Sequence, residues 1–114
     1  MTPKNHEAWS TEAAAELYHL SGWSDDYFRI DEGGKILADV DRNGQRQIVI
    51  EKVLDRVTSE GIQTPLVIRF QDIIASRVRQ LNDAFNAARE EFGYQPPYRG
   101  VYPIKVNQLH EVVD

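Results

Sequence analysis

Apolar residues recur at helical spacing in three stretches of the chain, and the first stretch lies near the amino terminus. It follows Ser10, whose hydroxyl can accept a backbone N–H at a helix start. Gly22 ends it, and we expect this glycine to take a left-handed conformation. The helical positions between them are Ala14, Leu17, Tyr18 and Ser21. The spacing therefore predicts a first helix between Ser10 and Gly22.

Two further helices are predicted in the middle of the chain. The second has its apolar stripe at Ile50, Val53, Leu54 and Val57, and Gly61 follows it as a stop. The third has the clearest period in the sequence, with apolar positions at Ile74, Val78, Leu81, Phe85, Ala88 and Phe92. We expect Asp72 to cap this third helix and Gly93 to end it.

Alternating residues predict a β-hairpin between the first two helices. Residues 27–31 and 35–40 flank Gly33 and Gly34, which can adopt the positive φ of a tight turn. Phe28 and Ile30 share one face of the first strand, and Ile36, Ala38 and Val40 share one face of the second. Because a lone hairpin is marginal in water, we expect it to join a larger sheet.

Two further strands, at residues 65–70 and 98–107, are predicted on either side of the third helix. Pro65 takes the first position, where no ladder donor is lost. Strand, helix and strand in this order predict a right-handed βαβ unit with parallel strands. Two parallel strands leave a sheet incomplete, because each needs cover on both faces. A further helical pattern begins at 109–113 and the sequence stops, so we expect a fragment of a larger α/β protein.

Composition excludes several classes of function. No apolar stretch approaches the roughly 20 residues that span a bilayer, and Met1–Glu7 lacks the apolar core of a secretory signal. The net charge of -5, with basic and acidic residues interleaved, argues against nucleic-acid binding. The absence of cysteine removes disulfides, thiolate catalysis and cysteine zinc sites from this segment, and fits a cytoplasmic protein.

Lys105 is the candidate catalytic residue. It lies near the carboxyl end of the last predicted strand, the end at which open sheets and barrels bind ligands. If its face points into a barrel, the amine is partly desolvated and becomes a better nucleophile toward an aldehyde. The alternative, which position alone leaves open, is a lysine whose charged end reaches into water at the strand end.

The residues around Lys105 resemble a known family. Residues 101–108 read Val-Tyr-Pro-Ile-Lys-Val-Asn-Gln, which is similar to the cofactor-lysine strand of biosynthetic arginine decarboxylases. These belong to the alanine-racemase-like group of pyridoxal-phosphate enzymes, together with ornithine and diaminopimelate decarboxylases. The resemblance extends to residues 9–34 and to 65–70, which looks like the first barrel strand of that family.

The resemblance implies a fold and a domain organisation. The fold would be α/β, namely the start of a (β/α)8 barrel that binds the cofactor, incomplete as given. Residues 1–44 would contribute a helix and a β-hairpin to a separate β-rich domain, and residues 45–114 the first βαβ portion of the barrel.

The resemblance also implies an activity. Lys105 would be both the cofactor-binding and the catalytic residue, forming the internal aldimine with pyridoxal 5'-phosphate. The full-length enzyme, a homo-oligomer, would convert L-arginine to agmatine and carbon dioxide in polyamine (putrescine and spermidine) biosynthesis. A Mg²⁺ requirement is implied by the family only, and no residue here is assigned to a metal. The remaining site residues would lie downstream, so we expect the fragment to be inactive alone.

Other residues leave alternatives open. Arg69 would face the cofactor ring or pair with Asp72, and Asn107 would fix the loop after the strand or serve as a simple turn residue. The histidines His6, His19 and His110 are too scattered to indicate a metal site. Two other functions remain: a free-standing interaction module or remnant that pairs through exposed strand edges, and a sibling decarboxylase acting on ornithine or diaminopimelate.

Overall fold

The computed structural model describes residues 8–113. The chain forms two compact units, one extending to Leu66 and the other beginning at Val67. The expectations for Met1–Glu7 and for His6 lie outside the described residues. Within residues 8–113, none of the helices combines the length and apolar character that crossing a membrane requires.

The predicted first helix is divided in two. Helix α1 spans Thr11–Leu17 and is capped as expected, because the Ser10 hydroxyl accepts the third helical backbone N–H at 3.1 Å. Helix α2 spans Leu20–Ser24, after His19 adopts a left-handed backbone with φ 49°. This break turns the chain so that Leu20 is buried, whereas the predicted positions Leu17 and Tyr18 are exposed.

Gly22 does not end a helix, so that prediction is wrong. It lies inside α2, and the imidazole of His19 occupies the space where a Cβ would lie, 1.8 Å from that position. The left-handed residues are instead His19 before α2 and Asp25 after it. Glycine here leaves room for the His19 imidazole, which an added Cβ would displace, and it does not form a turn.

The predicted hairpin forms, and a third strand joins it. Strands β1 (Phe28–Ile30) and β2 (Ile36–Asp39) pair antiparallel, with Gly34 in the turn at φ 80°. Strand β3 (Gln47–Val49), which the sequence pattern did not predict, pairs antiparallel with the other edge of β2. The sheet order is β1-β2-β3. The hairpin therefore joins a larger sheet, as expected from the marginal stability of a hairpin alone.

The buried core of the first unit is small and surrounds β2. Its buried apolar side chains are Leu20, Tyr27, Ala38 and Val40. Asp39 is also fully buried, although it alternates with Ala38 along the strand. Both faces of β2 are therefore covered at this end, and Ile36 at the other end is exposed.

Helix α3 (Ile50–Ser59) packs against β2 and β3 through the predicted stripe. The half-buried residues of the helix are the four predicted stripe positions, Ile50, Val53, Leu54 and Val57. Its other six residues are exposed. Gly61 follows at φ 88°, with its N–H donating to the Thr58 carbonyl. The predictions for this helix are confirmed.

The long helix α4 (Gln71–Glu91) forms the main element of the second unit. Gly93 ends it at φ 64°, as predicted. Asp72 lies in the first turn, but the N-cap position belongs to Phe70, so the expected cap is wrong. Most of the predicted stripe is exposed, including Val78, Leu81 and Phe85.

The two predicted parallel strands do not form. Residues 65–70 and 98–107 pair with no strand within the described part of the chain, and Ile104–Val106 forms a 3₁₀ turn instead. A strand is held by hydrogen bonds to a neighbour, and a parallel strand also needs cover on both faces. Residues 66, 68 and 70 are still half-buried while 67 and 69 are exposed, the alternation of a strand without its partner.

The architecture is thus a mixture of helices and a three-stranded antiparallel sheet, which is compatible with the α/β class. A barrel start and a β-rich domain stay predictions. The predicted boundary between residues 44 and 45 concerns domains of a longer protein and also stays a prediction.

Candidate functional site

Lys105 lies at the centre of the 3₁₀ turn Ile104–Val106 in the second unit. The turn begins at Pro103, whose carbonyl accepts the Val106 N–H at 2.9 Å. Lys105 is exposed, and so are its neighbours Ile104 and Val106. The amine is therefore accessible, while the inward orientation expected for a barrel strand stays a prediction.

Asn107 holds the backbone immediately after Lys105. Its side-chain oxygen accepts the Leu109 N–H at 3.2 Å, and its carbonyl accepts the Tyr102 hydroxyl at 3.3 Å. The first contact is an Asx turn, which leads into the short helix α5 (His110–Val113). These contacts fit both alternatives for Asn107, a residue that fixes the loop and a simple turn residue, and the choice between them stays a prediction.

Four lysines occur in the sequence, at positions 4, 35, 52 and 105, and the second of them is held in an ion pair. The Lys35 ammonium contacts the Glu51 carboxylate, and this hydrogen bond and charge raise the pKa of Lys35 above its ordinary value. A lysine held protonated is a poor nucleophile. Lys52 is exposed on α3, as Lys105 is in its turn, and is a matched control for it.

The other singled-out residues do not converge with Lys105 on a metal site. Arg69 is exposed, His19 lies against Gly22 in the first unit, and His110 begins α5. Among residues 8–113, no three histidine, aspartate or glutamate side chains are grouped so that they would hold a metal ion.

Arg89 makes a set of contacts that sequence reasoning missed. It lies in the last turn of α4 and donates to the carbonyls of Gln95 and Pro96. These two residues begin the segment that runs back along α4 toward Lys105, here called the return. One sequence signal was available. An arginine within two turns of a Pro-Pro pair can supply donors near residues that have no N–H of their own.

Comparison with known proteins identifies relatives of the whole described chain. No family model matches it. A biosynthetic arginine decarboxylase from Prochlorococcus marinus subsp. pastoris is 37% identical over 113 residues, covering 99% of this chain and 17% of the relative. Those of Gloeobacter violaceus and Bacteroides thetaiotaomicron are 38% and 33% identical over 106 residues, covering 93% of this chain and 16% and 17% of the relatives. The chain matches one section of biosynthetic arginine decarboxylases.

The resemblance to biosynthetic arginine decarboxylases is thereby confirmed. The chain spans about 17% of the length of the curated relatives it matches. Their name identifies them as lyases that act on arginine. Most of the length of these relatives has no counterpart in this chain.

The exposed amine of Lys105 fits covalent attachment of an aldehyde cofactor. An unhindered primary amine is the group that condenses with an aldehyde, and the side chain is accessible in its turn. The phosphate of such a cofactor would need N–H groups or cations around it, commonly at a helix N-terminus. The described residues thus fit the anchoring group, and a phosphate cradle is expected outside them.

Proposed function

We propose that this chain is a section of a pyridoxal 5'-phosphate-dependent arginine decarboxylase, a carboxy-lyase in which Lys105 holds the cofactor. The observation that carries the proposal is similarity over 93–99% of the chain to proteins of that name, combined with an accessible amine at Lys105. The names of these relatives favour arginine over ornithine or diaminopimelate as the substrate.

The proposed reaction breaks the bond between the α-carbon of L-arginine and its carboxylate. Carbon dioxide leaves, the electron pair stays at the α-carbon, and a proton added there gives agmatine. Pyridoxal 5'-phosphate, when bound, supplies the electron sink that makes this bond cleavage feasible. Lys105 would anchor the aldehyde carbon through Nζ and would bind it again as agmatine departs. The proposal includes a role in polyamine synthesis, a homo-oligomeric enzyme and a Mg²⁺ requirement.

Borohydride trapping tests the proposal in the longer protein. The protein is incubated with pyridoxal 5'-phosphate, reduced and digested, and the labelled lysine is identified by mass spectrometry. We expect the label at Lys105 in stoichiometric amount, at only background level at Lys52, and none at Lys105 in a Lys105→Arg variant. The same variant should release no labelled carbon dioxide from carboxyl-labelled arginine, whereas Lys52→Arg should retain the release.

The isolated chain of 114 residues serves as the negative reference. We expect it to trap the aldehyde equally at Lys52 and Lys105 and to release no carbon dioxide, since it spans only a small part of the relatives. Stoichiometric label on another lysine of the longer protein would refute the assignment of Lys105. Decarboxylation of ornithine in preference to arginine would refute the substrate.

A further inference from the structure

The end of α4 is joined to the segment that follows it by one arginine. The Arg89 guanidinium donates through Nε to the Pro96 carbonyl at 2.5 Å and through Nη2 to the Gln95 carbonyl at 2.9 Å. Its remaining nitrogen, Nη1, donates to the side-chain oxygen of Asn86 at 3.0 Å. All three nitrogens of this half-buried side chain are therefore engaged, and the guanidinium is fixed in one orientation.

The local sequence explains why this fixation is needed. Gly93 turns the chain at φ 64°, and the Tyr94 N–H donates to the Arg89 carbonyl at 2.9 Å. Pro96 and Pro97 then follow, and neither has an N–H with which to hold a turn. The planar fork of Arg89 supplies the missing donors to two consecutive carbonyls, a geometry that a lysine ammonium does not reproduce.

An aromatic stack continues the same attachment. The rings of Phe85 and Tyr98 lie 4.2 Å apart between centroids with an interplanar angle of 2°. Phe85 precedes Arg89 by one helical turn, so the two residues share a side of α4. The chain after Gly93 therefore runs back along the helix, first against Arg89 and then against Phe85.

A second attachment lies near the other end of α4. The Gln71 side-chain amide donates to the Glu111 carbonyl at 3.4 Å, and α4 contacts α5. Lys105 lies between the two attachments, in the return that begins at Arg89 and ends at α5. The point at which the chain turns back along α4 therefore limits the positions that the Lys105 amine can occupy.

We propose that Arg89 is a positioning residue for Lys105. Its two hydrogen bonds to the carbonyls of Gln95 and Pro96 fix the path of the segment that carries the Lys105 amine. The inference rests on the proposed function for its significance, since Lys105 matters only if it holds the cofactor. The contacts of the Arg89 guanidinium join residues at most seven positions apart, within the end of α4 and the turn that follows it.

The first experiment measures backbone hydrogen exchange in the chain as it stands. In Arg89→Ala we expect the hydrogen-bonded amides of Tyr94 and Val106 to exchange about tenfold faster, because two charge-assisted hydrogen bonds that hold this segment are lost. Arg89→Lys should lie between this variant and the parent chain. Arg79→Ala, at an exposed arginine of the same helix, is the control and should leave exchange unchanged. Unchanged exchange in Arg89→Ala would overturn the inference without touching the proposed function.

The second experiment follows the rate of borohydride-trapped labelling at Lys105 in the longer protein. We expect Arg89→Ala to slow labelling by about tenfold per folded molecule, with a thermal midpoint near that of Arg79→Ala. If Arg89→Ala does not fold, Arg89→Lys carries the test, because it keeps the charge and stem and reaches only one carbonyl. A labelling rate that falls only in proportion to the unfolded fraction would mean that Arg89 is merely structural. Absence of label at Lys105 in the unsubstituted protein would instead refute the proposed function.

Discussion

Replacing Asp39 by alanine should destabilise the first unit more than any other single loss of a charged side chain there. The Asp39 carboxylate is fully buried, and its Oδ2 atom accepts the Gly44 N–H at 2.8 Å. The same oxygen lies 3.4 Å from Nη2 of Arg29, whose side chain is 41% exposed. Its other oxygen, Oδ1, has no hydrogen-bond partner among residues 8–113. Asp39 therefore joins the centre of the sheet to the loop between β2 and β3.

The expected cost follows from these contacts. Loss of a hydrogen bond to a charged group costs about 1.5–3 kcal/mol. Removal of one partner of a buried ion pair costs about 3–5 kcal/mol, but that range applies to fully desolvated pairs. Arg29 remains in contact with water and also donates to the Arg42 carbonyl, so it loses less. Release of the unpartnered Oδ1 offsets part of the loss, and we expect a net cost of about 2 kcal/mol.

Urea unfolding followed by tryptophan fluorescence measures this cost, since Trp9 and Trp23 both lie in the first unit. Asp39→Asn should cost about 1 kcal/mol, because the amide oxygen still accepts the Gly44 N–H. The control is Asp41→Ala, which removes an exposed ion pair with Arg46 and should cost at most about 1 kcal/mol. An Asp39→Ala variant no less stable than Asp41→Ala would refute the reasoning.

Two further predictions concern the first unit. Leu20→Ala should cost about 2–4 kcal/mol by urea unfolding, since Leu20 is 7% exposed, whereas Leu17→Ala, at 78% exposure, should cost less than about 0.5 kcal/mol. Glu51→Gln should lower the pKa of Lys35 toward its ordinary value, as measured by NMR titration, because the hydrogen bond and charge of Glu51 raise it. The raised pKa favours the folded state below the ordinary lysine pKa, and this contribution disappears as the pH rises through the folded value. An unshifted Lys35 titration in the variant would contradict this account.

Sequence patterns predicted those elements whose causes lie within a few residues. The cap at Ser10, the turn at Gly34 and the stripe of α3 each depend on near neighbours, and each is found. Strand β3 was missed because it is only three residues long and is defined by its pairing with β2. The break at His19 was also missed, since no glycine or proline marks it and a left-handed backbone is uncommon for histidine.

For the candidate site too, features set by the local sequence were predicted, and features set by other parts of the chain were not. The residues around Lys105 were sufficient to predict its relatives, since similarity resides in the sequence itself. The strand expected to carry Lys105 requires neighbouring strands, and the structure has a 3₁₀ turn there. Arg89 was not predicted because its role depends on where two carbonyls lie after the turn at Gly93.

The uneven distribution of buried side chains determines how this chain would respond to heat. Every buried apolar residue of the described chain lies between Leu20 and Val40, while the longest helix, α4, has no buried residue. A core melts cooperatively, whereas a helix of about 31 Å with no buried side chain loses its structure gradually from its ends. Tryptophan emission would therefore change over a narrow temperature range while far-ultraviolet circular dichroism declines over a broad one. Such a chain has no single melting temperature, and each signal describes a different part of it.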